Sequence, residues 1–320
     1  MTTALSIQEK TALGPQLVRA EGFIKQSRAK STRDAYRWDF NEFTLFCERH
    51  GVCPLPATEQ VVCAYLASLA HPERKLKVGS IGRRFSSIAA VHKAAGYDSP
   101  TGKASVKLCF AGIKRSLGSA VTPKNPILTS DIVGMISHID TKRLIGKRDR
   151  AILLFGFASA LRRGELAALN VEDVTFSDDG ARVLVRRSKT DQTGEGQQIA
   201  VVRTGTRTCP VKALEAWLKA AAIQDGAVFR SVDRHDKIRE RMASKTPASV
   251  VKKYAQMIGL DPAKLAAHSL RSGMVSQAIL NRVSLPAIQQ QTRHRSLDMV
   301  MRYNRSLNLF NDNASAGLNL

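Results

Sequence analysis

GSAVTPKNPIL, residues 118–128, interrupts a chain that otherwise reads as a succession of helices. Its two prolines, its glycine and its small polar side chains favour turns and extended backbone. The stretch therefore predicts a linker between an N-terminal domain, 1–117, and a C-terminal domain, 129–320. A chain of 320 residues also suits two domains better than one.

Upstream of the linker everything points to helix. Gln8–Ser27 carries Leu13, Leu17, Ala20, Phe23 and Ile24 at helical spacing. Ser31, with Asp34 three residues on, predicts a capping box. The helix it would open repeats Ala35, Trp38, Phe40, Phe43, Leu45 and Phe46 and stops at Gly51. Thr58 opens a third helix that Pro72 ends, a fourth runs from Val78 to Ala95 before Gly96, and a fifth covers Ala104–Leu117.

Downstream, Thr129 is the expected cap of the first of two helices, the second ending near Leu161. Three β-prone stretches follow, Val171–Phe176, Arg182–Arg187 and Gln198–Val202, with Asp178–Gly180 as a turn and Ser188–Gly196 as a polar loop. Helices resume at Cys209–Ala222, Pro247–Ile258, His268–Asn281, Leu285–Thr292 and Leu297–Tyr303. The expected fold class is mainly α with a small antiparallel β-sheet.

Charge narrows the function. The formal net charge is +22, and residues 1–118 hold 18 Lys and Arg against 9 Asp and Glu, so both domains share the excess. Such an excess repels itself unless a polyanion relieves it, which points to nucleic acid. With only 6% aromatic residues, stacking on bases is not the main mode of binding. The five cysteines, Cys47, Cys53, Cys63, Cys109 and Cys209, form no CxxC pair and predict neither a disulfide framework nor a zinc site. No leader pattern opens the chain, and the longest apolar run, 151–161, is too short for a bilayer, so a cytoplasmic, nucleoid-associated protein without membrane contact is expected.

One set of residues is hard to explain as packing: Arg162 in LRRGEL, Lys189 in RRSKTD, His268 and Arg271 in HSLRSG, His294 in TRHRS and Tyr303 in MRYNR. Phosphodiester transfer concentrates negative charge on non-bridging oxygens, and two guanidiniums, Arg162 and Arg271, clamp such oxygens without a metal. Tyr303 is the candidate nucleophile, His268 the acceptor of its proton, Lys189 the donor to the 5′-oxygen and His294 a hydrogen-bond partner of the phosphate. Glu165, one turn from Arg162, is placed to orient a neighbouring side chain. No HExxH, DDE-type cluster or Walker loop occurs, so no cofactor is expected, and activity should survive EDTA and need no nucleotide.

In order and spacing these residues resemble those of the tyrosine recombinases, the phage-type integrases, and the resemblance spans nearly the whole chain. It implies an N-terminal helical core-binding (SAM-like) domain and an α+β catalytic domain. The activity it implies is site-specific recombination through a 3′-phosphotyrosine intermediate. Two positions depart from the family pattern: Ala160 and Arg293 stand where the family usually has glycine.

The implied partner is double-stranded DNA with inverted-repeat sites, bound by a homo-tetramer across two sites, with a monomer or weak self-association when DNA is absent. By resemblance, the second and fourth N-terminal helices enter the major groove. Lys30, Ser31, Thr32, Arg33 and Arg37 on one, and Ser80, Arg83, Arg84 and Lys93 on the other, are then the expected DNA contacts. The tail, about 306–320, would dock on a neighbouring protomer through Leu307, Leu309 and Phe310. Two alternatives stay open: a type IB topoisomerase-like nicking-closing enzyme, and a catalytically silent DNA-binding protein.

Overall fold

The structure, a computed structural model, describes residues 13–118, 124–186 and 196–307, with the side chains of Lys25 and of 304–307 outside that description. The expectations for Lys189, Leu309, Phe310 and the side chain of Leu307 thus fall outside the described residues. The chain separates into two compact units, Met1–Thr122 and Pro123–Leu320, and the division falls inside the 118–128 stretch.

The first unit holds α1 (Gly14–Gln26), α2 (Lys30–Arg49), α3 (Glu59–Leu69), α4 (Val78–Ala94) and α5 (Ala104–Leu117). Its core joins Phe43, Phe46 and Cys47 of α2 to Tyr65, Leu66 and Leu69 of α3, Ile81 and Ile88 of α4, and Val106 and Ile113 of α5. Thr58 does cap α3, its hydroxyl accepting from the Val61 amide. The residues that expose these helices to solvent are less regular than the spacing predicts: Trp38 and Leu45 of α2 and Phe23 and Ile24 of α1 are exposed. Ser31 is not a cap, because α2 begins two residues early, after Ala29, which leaves Ser31 inside the helix.

Ion pairs tie α4 to α2. Asp39, fully buried, accepts from Arg83 at 2.6 and 3.0 Å, and Arg84 donates to Glu42 at 2.8 Å and to the Ser80 carbonyl at 3.2 Å. Two of the expected DNA contacts are therefore engaged within the unit. Arg84 is buried, its charge balanced by Glu42 at 2.7 Å and by Asp39 at 3.9 Å. Lys30, Ser31, Arg37 and Lys93 are exposed, whereas Thr32, Arg33 and Ser80 are half-buried. Arg33 and Arg37 border a cleft of about 450 Å³ that also touches Ala90 and Ala94 of α4.

The second unit is built on α7 (Leu144–Ser159), which follows α6 (Thr129–Ser137). Ten residues of α7 are buried, and such all-round burial marks a helix enclosed by its own domain. Around it lie α8 (Arg163–Ala168), a three-stranded antiparallel sheet of β1 (Val174–Phe176), β2 (Gly180–Val185) and β3 (Gln197–Val202), and α9 (Pro210–Ala220). A hairpin, β4 (Arg230–Val232) with β5 (Ile238–Arg241), precedes α10 (Thr246–Met257), α11 (His268–Leu280), α12 (Leu285–Thr292) and α13 (Leu297–Leu307).

Several boundaries differ from the reading of the sequence. Strand β2 lies two residues earlier than expected, because Gly180 pairs with Val202 instead of turning, so Arg186 falls outside the ladder and pairs with Asp173. Leu128, not Thr129, is the cap of α6, with the Asp131 carboxylate accepting its amide at 2.8 Å. The hairpin β4–β5 escaped detection because the residues of β5 are mostly charged and exposed. The segment before α6 runs against α11, the Ile127 amide donating to the Ser269 carbonyl at 3.2 Å. Gly273 permits this approach, since a Cβ there would overlap the Ile127 backbone.

Candidate active site

Three breaks in the helices create the site. The first is Ala160, which ends α7 in a left-handed conformation with φ 49° and turns the chain so that Arg162 becomes the residue capping α8. There Glu165 reaches back: its carboxylate accepts from the Arg162 amide at 2.8 Å and from the Arg162 guanidinium at 2.7 Å. The expected orienting role for Glu165 thus has a concrete geometry, in which one carboxylate fixes both ends of Arg162.

The second break precedes α11, where His268 and Arg271 stand one helical turn apart and share a face. Arg271 is 1% exposed. It donates to the Ala160 carbonyl at 2.6 Å and to the Thr292 carbonyl, and so joins the turn before Arg162 to the turn before His294. Burial, and then the Arg162 and Arg293 cations, push its pKa down to about 10, with Glu165 and Tyr303 acting the other way. It remains a cation at neutral pH.

The third break is Arg293, which ends α12 in a left-handed conformation with φ 56°. His294 follows, buried, with Nδ1 2.8 Å from the Thr292 hydroxyl. That hydroxyl spends its single proton on the Ile288 carbonyl, 2.6 Å away, so it accepts from His294 and the imidazole proton sits on Nδ1. The other nitrogen, Nε2, is left as a lone pair while the ring is neutral. Burial, helped by the Arg271 and Arg162 cations, lowers the His294 pKa to about 4, and neutral is the resting form. Gln289 steadies the same turn by donating to the His294 carbonyl, and Gln291 donates to the carbonyls of Ala158 and Ala200.

Helix α13 brings Tyr303 to this group. Its hydroxyl lies 3.5 Å from His268 Nε2, and its ring centroid is 6.3 Å from that of His294. Burial raises the phenol pKa and the Arg271 cation opposes that rise. His268 is shifted down, by burial first and then by Arg271 and Arg162, which favours the neutral ring, and its Nε2 faces the phenol. Five of the six residues singled out in the sequence therefore meet in one place: Arg162, His268, Arg271, His294 and Tyr303. The sixth, Lys189, lies outside the described residues, beyond β2. Nothing in the sequence marked Thr292 or the Ala160 carbonyl. Arg293 was visible only as an arginine in a place suited to glycine.

Guanidiniums and imidazoles, of which Arg271 and His294 are buried, gather around a tyrosine hydroxyl, a set of groups suited to holding and attacking a phosphodiester. The profile of the Phage integrase family matches residues 127–309, and the chain belongs to that family, the tyrosine recombinases. It is 35% identical over 302 residues to an integrase/recombinase xerD homolog of Selenomonas ruminantium, across 93% of this chain and 88% of the relative. It is 23% identical to the tyrosine recombinase XerC of Syntrophus aciditrophicus, across 88% of both chains. Among solved structures, a lambda integrase (75-356) dimer bound to a COC' core site aligns with a TM-score of 0.59 at 15% identity, covering 91% of this chain and 94% of that one. The Tn1549 transposon integrase in complex with transposon right end DNA aligns with the same TM-score at 14% identity, covering 91% and 93%. At these identities the structural likeness speaks for the fold.

Proposed function

We propose that the protein performs site-specific recombination of double-stranded DNA by a tyrosine-mediated strand exchange. The observation that carries this reading is the Tyr303 hydroxyl, 3.5 Å from His268 Nε2, with the Arg271 cation acting on both groups.

The residues divide the step as follows. Arg162 and Arg271 hold the non-bridging oxygens of the scissile phosphate. Tyr303 Oη attacks phosphorus and its proton passes to His268 Nε2. The bond from phosphorus to the 5′-oxygen breaks, and Lys189 gives that oxygen a proton, leaving a 3′-phosphotyrosine and a free 5′-hydroxyl. Rejoining runs the same path backwards with a 5′-hydroxyl from the other site. His294 enters with a lone pair on Nε2. The arriving phosphate charge favours protonation there, which converts that nitrogen into a donor to the phosphate.

In this reading the unit 1–117 grips DNA together with the catalytic unit 129–320, around inverted-repeat sites. Lys30, Ser31, Arg37 and Lys93 supply exposed contacts. Four protomers assemble on two sites, and the reaction takes place in the cytoplasm, where the nucleoid offers those sites.

Covalent capture tests the reading. The probe is a pool of nicked duplexes with randomised arms, incubated with the protein in EDTA. The wild-type chain is expected to form a denaturation-resistant adduct, and Tyr303→Phe to form none while still shifting the same duplexes in a gel. An adduct that persists in the phenylalanine variant would sink the mechanism. Exchange between two plasmid-borne copies of the captured duplex separates a recombinase from a nicking-closing enzyme.

A further inference from the structure

Arg293 is retained at a position that resists it. Its backbone is left-handed, which disfavours any side chain bearing a Cβ by about 1 kcal/mol or more. Its side chain is 3% exposed, yet among the described residues Nε and Nη1 have no hydrogen-bond partner. Buried guanidinium nitrogens left in that state destabilise a fold. The one bond shown for the group is from Nη2 to Glu165 Oε2 at 2.6 Å. Glu165 in turn holds both the amide and the guanidinium of Arg162.

We propose that Arg293 is a positioning residue for strand cleavage, clamping the Glu165 oxygen that also accepts the Arg162 amide and adding a third cation to the site. This inference rests on the role assigned above to Arg162. Two properties follow from the geometry. The Glu165 carboxylate, bonded by Arg162 and Arg293 at once, is fixed in rotation, and Arg162 with it. Three guanidiniums against one carboxylate also leave two positive charges. A bound phosphodiester carries one negative charge. Attack by Tyr303, with its proton on His268, creates a pentavalent phosphorus centre that carries two. Arg293 therefore favours the transition state over the bound substrate, and its removal slows cleavage without loosening DNA.

The test compares Arg293→Gly and Arg293→Lys in the full-length protein, with the nicked duplex that the wild-type chain captures as probe. Glycine suits the left-handed backbone, so the variant folds. Single-turnover capture is expected to slow by about 30-fold, with duplex affinity within about twofold of wild type. The melting temperature should not fall. Lysine keeps a charge and a donor, and should return the rate to within about fivefold. A glycine variant that cleaves at the wild-type rate overturns the inference. So does one that loses affinity and rate by the same factor, or a lysine variant as slow as glycine. Tyr303→Phe runs alongside: if it too captures DNA, the underlying mechanism fails, whereas an inert phenylalanine variant beside a fully active glycine variant removes Arg293 alone.

Discussion

Thr292 decides the state of His294. Its hydroxyl donates to Ile288 and accepts from Nδ1, which leaves Nε2 pointing away with a lone pair. Thr292→Val keeps the shape of this fully buried side chain and removes both the acceptor for Nδ1 and the donor to the Ile288 carbonyl, which the helix already serves. Loss of one such bond is worth about 1.4 kcal/mol, so covalent capture should slow about tenfold while DNA affinity holds. Equal rates in the two proteins would show that the tautomer is fixed elsewhere. The same histidine sets a pH limit on stability. Its pKa in the folded chain is about 4 against 6.5 for an ordinary imidazole, and His268 is shifted in the same direction. Between those values the unfolded chain binds more protons, so acid favours unfolding. The DNA-free protein should therefore lose on the order of 3 kcal/mol between pH 6.5 and pH 4 from His294 alone. Denaturant titrations of wild type and His294→Gln across that window measure it; parallel curves would refute the assignment.

At the level of elements, the close approach of residue 127 to α11 depends on Gly273. Adding a methyl group there must push the Ile127 backbone off the helix and disturb the turn that carries His268 and Arg271. Gly273→Ala should destabilise the second unit by about 3 kcal/mol, a value that urea unfolding reads directly. An unchanged midpoint would mean that the helix shifts freely. Elements of this kind also mark how far the sequence could be read. Helices with apolar periodicity and clear stops, such as α12 and α3, were legible almost to the residue, because Pro, Gly and Thr58 act locally. The site residues were legible because chemistry demands their types and order. Arg84 was not: an arginine on a helix looks solvent-facing until a partner such as Glu42, 42 residues away, is known. Nor was β5, whose charged side chains conceal a strand held by its pairing with β4 and by bonds from Arg239 and Arg241. Both depend on contacts distant in sequence, which periodicity does not register.

For the whole molecule, the tail beyond α13 bears on assembly. If residues after Ser306 link protomers, deleting them should reduce pairing of two DNA sites far more than occupancy of one. Gel mobility with single and paired duplexes distinguishes the two, and equal losses would count against a linking role.

The Arg271 side chain has a consequence for the life of the nascent chain. Its two carbonyl partners lie 111 residues before it and 21 residues after it, so no short segment of the protein contains the assembled pocket. A half-folded polypeptide carries the same tyrosine but lacks the cage that would arm it, so cutting ability should arrive only with the finished fold.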